Sequence, residues 1–196
     1  MKKSNVVRSV TSFVGAIVLA TSAWAVEPHV APMTDFAKTE VVNWIKTDVV
    51  ISAIKDQNQK YANLAQADID TLDKTWRAET SASDRPMINA VLASELSQFL
   101  ATIREKSDGL VTEIFVMDNK GLNVGQSDIT SDFWQGDEAK WQKTYLAGPD
   151  AIFVDGVEQD ESTQAFQSQL SMSIVDPQTG DVIGAITVGV NVDAIL

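Results

Sequence analysis

The chain has 196 residues, with 27 Asp and Glu against 15 Lys and Arg, a single His and no Cys. A formal net charge of −12 disfavours nucleic acid and anionic lipid, which are bound through basic patches, and leaves cations, neutral molecules or a basic protein face as partners. Without Cys there is no disulfide and no thiol nucleophile, and the length suffices to bury a core without staples.

Lys2, Lys3 and Arg8 precede a short apolar run containing Phe13, Val14, Ile17, Val18 and Leu19, and Ala23-Trp24-Ala25 follows. This pattern predicts a secretory signal peptide over residues 1–25, removed after Ala25. The apolar run is about half the ~20 residues that cross a bilayer, so no lasting membrane insertion is expected once the signal is cleaved. Its removal takes three positive charges and no negative ones, which makes the exported part more acidic still. A periplasmic or secreted location follows as an expectation. Residues 26–34, with Pro28 and Pro32, read as a lead-in segment, and residues 35–196 as one domain.

Thr34 is placed to cap a helix over 35–61, whose apolar residues Val41, Trp44, Ile45, Val49 and Ile54 recur at threes and fours. A shorter helix is expected over 67–78. Asp84 and Pro86 open another, with Ile88, Val91, Leu92, Leu96, Phe99, Leu100 and Ile103 on one face and Ser107-Asp108-Gly109 as its stop. The period then changes. Residues 110–117 read as a strand, Asp118-Asn119-Lys120-Gly121 as a turn and 122–126 as the return strand. Asp132 and Gln135 have capping-box spacing, which predicts a helix over 133–147. A short strand at 151–154 and long strands at 164–175 and 181–192 complete the chain, the last two joined by Asp176-Pro177-Gln178-Thr179-Gly180. Strands do not alternate regularly with helices. The fold class is therefore α+β, with long N-terminal helices packed on a central antiparallel sheet.

Three segments, in this order, resemble the extracytoplasmic PAS-like sensor domains called Cache or PDC domains. They are Ile114 to Gly121 with its D-x-x-G turn, Ser131 to Trp141, and Ser171 to Ala185 with its closing turn. The resemblance spans about residues 35–195. It implies a PAS-like sheet whose open face holds a small molecule such as a carboxylate, amino acid or amine. Such domains usually sit between two membrane helices of a receptor or kinase. This sequence shows no second span and no output domain, so a stand-alone exported version that relays to a separate partner is expected. The aromatic–Arg–aromatic set of the amino-acid-binding subgroup is incomplete, since no Arg follows Arg104.

Trp134, Trp141 and Tyr145, at spacings of seven and four, would share one face of the 133–147 helix and form an aromatic wall. On the strand 164–175, alternation sends Phe166, Ser168, Leu170, Met172 and Ile174 to one face, and Gln167, Gln169, Ser171 and Ser173 to the other. A pocket between that polar face and the 133–147 helix would be lined by Trp134, Trp141, Tyr145, Gln167, Gln169 and Ser171. Lys143 is the cation nearest it, and Asp160 belongs to an acidic loop with Asp155, Glu158 and Glu161. The acidic loop also fits a divalent cation through oxygen ligands, and the N-terminal helix fits a homodimer or a membrane sensor as partner. Catalysis finds no support: His29 lies in a lead-in segment expected to be loosely held, and no zinc-protease helix motif, phosphate loop or nucleophile elbow is present. No cofactor motif is found either.

Overall fold

The structure, a computed structural model, describes residues 27–159 and 165–196. The expected signal peptide over 1–25 lies outside the described residues. The first helix starts before Thr34, running as α1 (Val30–Phe36), a π-helical stretch (Ala37–Val41) and α2 (Val42–Trp44). Thr34 does not cap it; its hydroxyl bonds the Val30 carbonyl, 2.7 Å away, inside the helix. Met33, Ala37, Val41 and Ile45 form the buried stripe.

The single helix expected over 35–61 is two. Thr47 turns to extended backbone, its hydroxyl bonding the Trp44 carbonyl, and α3 (Asp48–Lys60) starts anew. The expected 67–78 helix is α4 (Gln66–Thr80). The next expected helix also divides, into α5 (Pro86–Leu92) and α6 (Glu95–Lys106). Ser94 is the internal N-cap: its Oγ accepts from the Ser97 N–H at 3.1 Å and satisfies one of the donors a helix start leaves open. Both breaks fall inside an unbroken apolar period, so each pair of helices keeps its core-facing stripe while changing direction.

The sheet comprises β1 (Val111–Met117), β2 (Asn123–Gln126), β3 (Ile152–Val154), β4 (Glu158–Gln159), β5 (Phe166–Val175) and β6 (Val182–Asn191). Its order is β2-β1-β6-β5-β3, with β4 also pairing β5, and every described pairing is antiparallel. A one-turn helix α8 (Val192–Ile195) ends the chain, its Asn191 cap accepting from Asp193 N–H. Ile114 and Val116 of β1, Leu170, Met172 and Ile174 of β5, and Ile186, Val188 and Val190 of β6 pack against Val50, Ile51, Ile54, Leu96 and Leu100. The alternation read in β5 is thus the one the fold uses. Gly125 of β2 is needed because a Cβ there would enter the Leu96 side chain. The fold is α+β, with the long helices on one face of the antiparallel sheet. No helix among the described residues is long and apolar enough to cross a membrane.

A second, smaller cluster joins α4 and α5 to residues on either side of β2: Ile69, Trp76 and Ile88 pack with Leu122 and Phe133. Trp76 stacks on Phe133 at 5.3 Å between ring centroids, and its Nε1 donates to the Thr130 carbonyl. This cluster, and not the main core, decides the course of residues 130–138.

Candidate functional site

Cross-strand partners share a sheet face, so the register defines the face away from the helices. On it lie Glu113, Phe115 and Met117 of β1, Ala185, Thr187 and Gly189 of β6, Gln169, Ser171 and Ser173 of β5, and Phe153 of β3. Ser171 and Thr187 are both fully buried there, and their hydroxyls bond each other at 3.0 Å. Gln169 Nε2 donates to Glu113 Oε1 at 2.8 Å. Polar side chains at this depth need partners, and two hydroxyls can supply each other.

Residues 133–147 cover this face, but they do not form the expected helix. Only α7 (Ala139–Gln142), a single turn, is helical. Asp132 and Gln135 fail to cap because Gln135 Nε2 donates to the Asp132 carboxylate itself. The N–H groups of Phe133 and Trp134 are drawn to Asp73 Oδ1 on α4, at 2.9 and 3.1 Å. Trp134 then bridges Leu122 in strand fashion, and its Nε1 donates to the Lys120 carbonyl at 2.8 Å. Trp134 therefore belongs with the α4–α5 cluster and does not share a helix face with Trp141 and Tyr145.

Trp141 and Tyr145 do lie on the sheet. They stack at 4.8 Å between centroids and pack over Phe115, Met117 and Ala185. Trp141 Nε1 donates to the Asp118 carbonyl at 3.1 Å, which ties the cover to the β1–β2 turn. In that turn Gly121 takes a φ of 80°, a conformation that favours glycine. The Asp118 carboxylate accepts from Lys120 N, Leu122 N and Gln57 Nε2 of α3. Burial still pushes the Asp118 carboxyl above its ordinary value against these bonds. Burial, followed by the charge of Asp118, pushes the Tyr145 phenol up as well, so it remains a neutral O–H at physiological pH.

Beside the Trp141–Tyr145 stack, the face opens into a hollow of about 190 Å³, lined by Glu138, Lys140, Asp155, Gly156, Glu158, Gln167, Ser168 and Gln169. Of the residues expected to bind, Gln167 and Gln169 line it. Trp141, Tyr145, Lys143 and Ser171 lie on the same face without lining it. Lys143 Nζ rests 4.1 Å from the centroid of the Phe153 ring. Asp160 and Glu161 lie outside the described residues. Lys140 was not singled out by the sequence. Its Nζ pairs with Glu138 at 2.8 Å and reaches Gln135 Oε1, with the side chain 14% exposed. Within a full helix, spacing from Trp141 favours Lys143; with α7 cut to one turn, it is Lys140 that borders the hollow. His29 is not loosely held: it is buried, and its Nε2 donates to the Asp155 carbonyl at 3.0 Å, fixing the rear of the hollow to the start of α1. Among the described residues no three His, Cys, Asp or Glu side chains converge to hold a metal ion.

No family model and no curated protein sequence matches the chain. Solved structures that are similar include the ligand-binding domain of Campylobacter jejuni chemoreceptor Tlp3 in complex with 4-methylisoleucine. The identity is 15% and the TM-score 0.39, covering 78% of this chain and 64% of that one. The sensor domain of the Vibrio cholerae histidine kinase DctB is 15% identical with a TM-score of 0.38, covering 84% and 58%. The Escherichia coli DcuS sensor domain is 19% identical with a TM-score of 0.36, covering 64% and 92%. The chain spans less than two thirds of the length of the chemoreceptor and DctB domains it matches. These neighbours are ligand-binding or sensor domains, and the likeness to them is distant.

Proposed function

We propose that the chain is an exported, sensor-type binding domain, released by cleavage after Ala25, and not an enzyme. It holds a compact polar metabolite in the hollow between the open sheet face and the segment carrying Trp141, and relays occupancy to a separate protein. One observation carries the reading: next to the apolar patch that the Trp141–Tyr145 stack covers, the described residues of the sheet face leave a hollow bordered by Lys140, Gln167 and Gln169. A sheet face meant only for packing would be apolar, as the helix side is. At about 190 Å³ the hollow is smaller than the ~300–1,000 Å³ of sites for drug-sized ligands, which favours a small, polar occupant. Gln167 and Gln169 offer donors and acceptors together, and Lys140 adds a cation whose present partner, Glu138, an anionic group could replace.

A thermal-shift screen of small metabolites tests this reading, because a ligand that binds only the folded state raises Tm in a dose-dependent way. The response of Gln169→Leu, which removes an amide from the hollow and its bond to Glu113, is expected to fall while the unliganded variant still melts cooperatively. A metabolite that stabilises wild type and Gln169→Leu equally places its binding elsewhere and defeats the proposal.

A further inference from the structure

On the opposite side of the molecule a groove of about 350 Å³ runs between α3 and α6. Its floor is apolar: Val49 and Ala53 of α3, Leu96 of α6, and Val124 of β2 seen between the helices. Its rim is acidic. Asp48 and Asp56 stand on α3 with Ser52 between them, one helical turn apart each, and Glu95 stands opposite in the first turn of α6. No lining residue is basic. All three carboxylates are exposed, and none forms an ion pair or side-chain hydrogen bond among the described residues. Some other acids are engaged: Asp73 and Asp132 with Arg77, Asp176 with Lys55, Glu79 with the first N–H groups of α5, and Asp118 in its turn.

We infer that this groove is a docking surface for a basic, amphipathic segment of a partner protein. Such a segment would present small apolar side chains to the floor, flanked by Lys or Arg one helical turn apart. The acidic rim spans residues 48–56 of α3, about 12 Å at 1.5 Å per residue, which matches two turns of a partner helix. Charge complementarity decides between occupants. A second copy of this chain, at a net charge of −12, brings its own acidic surface, and an anionic membrane is repelled. A basic protein segment meets both the unpaired carboxylates and the apolar floor. The inference stands whether or not the hollow on the other sheet face is filled. It also gives that face a route outward, since Gln57, the residue after Asp56, bonds the Asp118 turn that holds Trp141.

The test is selection of displayed helical peptides, randomised on one face, on the intact exported chain. A variant carrying Asp48→Asn, Asp56→Asn and Glu95→Gln serves as the counter-target. These are surface changes; Asp48 and Glu95 stand in first helical turns, so a small drop in Tm is expected, and unchanged circular dichroism with a cooperative melt confirms that the variant folds. Enriched peptides are expected to carry Lys or Arg at i and i+4 around small apolar residues. They should bind the variant about tenfold more weakly, as befits loss of several exposed ion pairs, and shift the amide resonances of Val49, Ala53, Leu96 and Val124. Peptides without basic excess, equal binding to the variant, shifts spread over the acidic surface, or failure of any peptide to enrich would each overturn the inference. So would a concentration-dependent dimer in sedimentation that the triple substitution abolishes, because the occupant would then be a second copy.

Discussion

Replacing Asp73 by Ala probes the clasp that gives the cover its course. The carboxylate is about 15% exposed and accepts three bonds: Phe133 N–H at 2.9 Å, Trp134 N–H at 3.1 Å and Arg77 Nε at 2.6 Å. Arg77 keeps Asp132 at 3.0 Å and loses little. The two backbone donors are left without their acceptor, each costing about 1–3 kcal/mol when buried. Phe133 is buried, and Trp134 is more accessible to water. A loss of about 3 kcal/mol is therefore expected, well within the ~5–15 kcal/mol typical of a domain, so the variant folds. Urea unfolding followed by circular dichroism measures it. The pH dependence adds a second reading. Burial alone would raise the Asp73 carboxyl, but the bonds from Arg77, Trp134 and Phe133 together outweigh it and hold the carboxyl below its usual range. Its contribution is then fully present above the ordinary carboxylate value of about 3.9 and lost as pH falls through the lower folded value. The gap between wild type and Asp73→Ala should be constant from neutral pH down to about 3.9, the ordinary carboxylate value, and narrow as pH falls from there through the lower folded value. A loss under about 1 kcal/mol at neutral pH, or a gap that widens on acidification, would refute the clasp.

Asp118 has the opposite sign: its folded carboxyl is raised, so it favours the native state below the ordinary value and progressively less as pH rises through the folded value. Asp118→Asn should flatten that part of the stability–pH profile, and a profile parallel to wild type contradicts the assignment. Trp141→Phe keeps the stack on Tyr145 but removes the donor to the Asp118 carbonyl. Stability should drop by about 1 kcal/mol in urea unfolding, and no change would mean that the bond is not formed in solution. Ser94→Ala removes the α6 cap and is expected to cost about 1 kcal/mol by the same measurement.

The elements with local causes were legible from residues alone. The Asp118–Gly121 turn, the alternation of β5 and the α4 helix each rest on contacts close in sequence or on simple periodicity. The breaks at Thr47 and Ser94 were not, because the apolar stripe continues across them and a small hydroxyl residue inside such a stripe reads as tolerated. The 133–147 segment misled for a tertiary reason. Its helix-start residues bond each other, and its first N–H groups go to Asp73, sixty residues earlier in the chain. With that helix gone, Trp134 left the candidate site and Lys140 entered it. Gln167 and Gln169 stayed, because their placement depends only on strand alternation. His29 was misjudged because its partner, the Asp155 carbonyl, lies 126 residues away in the chain.

The most direct measurement is a crystal structure of the protein purified under native conditions and soaked with the metabolite that most raises its Tm. Ordered density bounded by Lys140, Gln167 and Gln169, beside the Trp141–Tyr145 stack, is the predicted result. A hollow closed by the protein's own side chains, or a ligand bound outside it, would contradict the account.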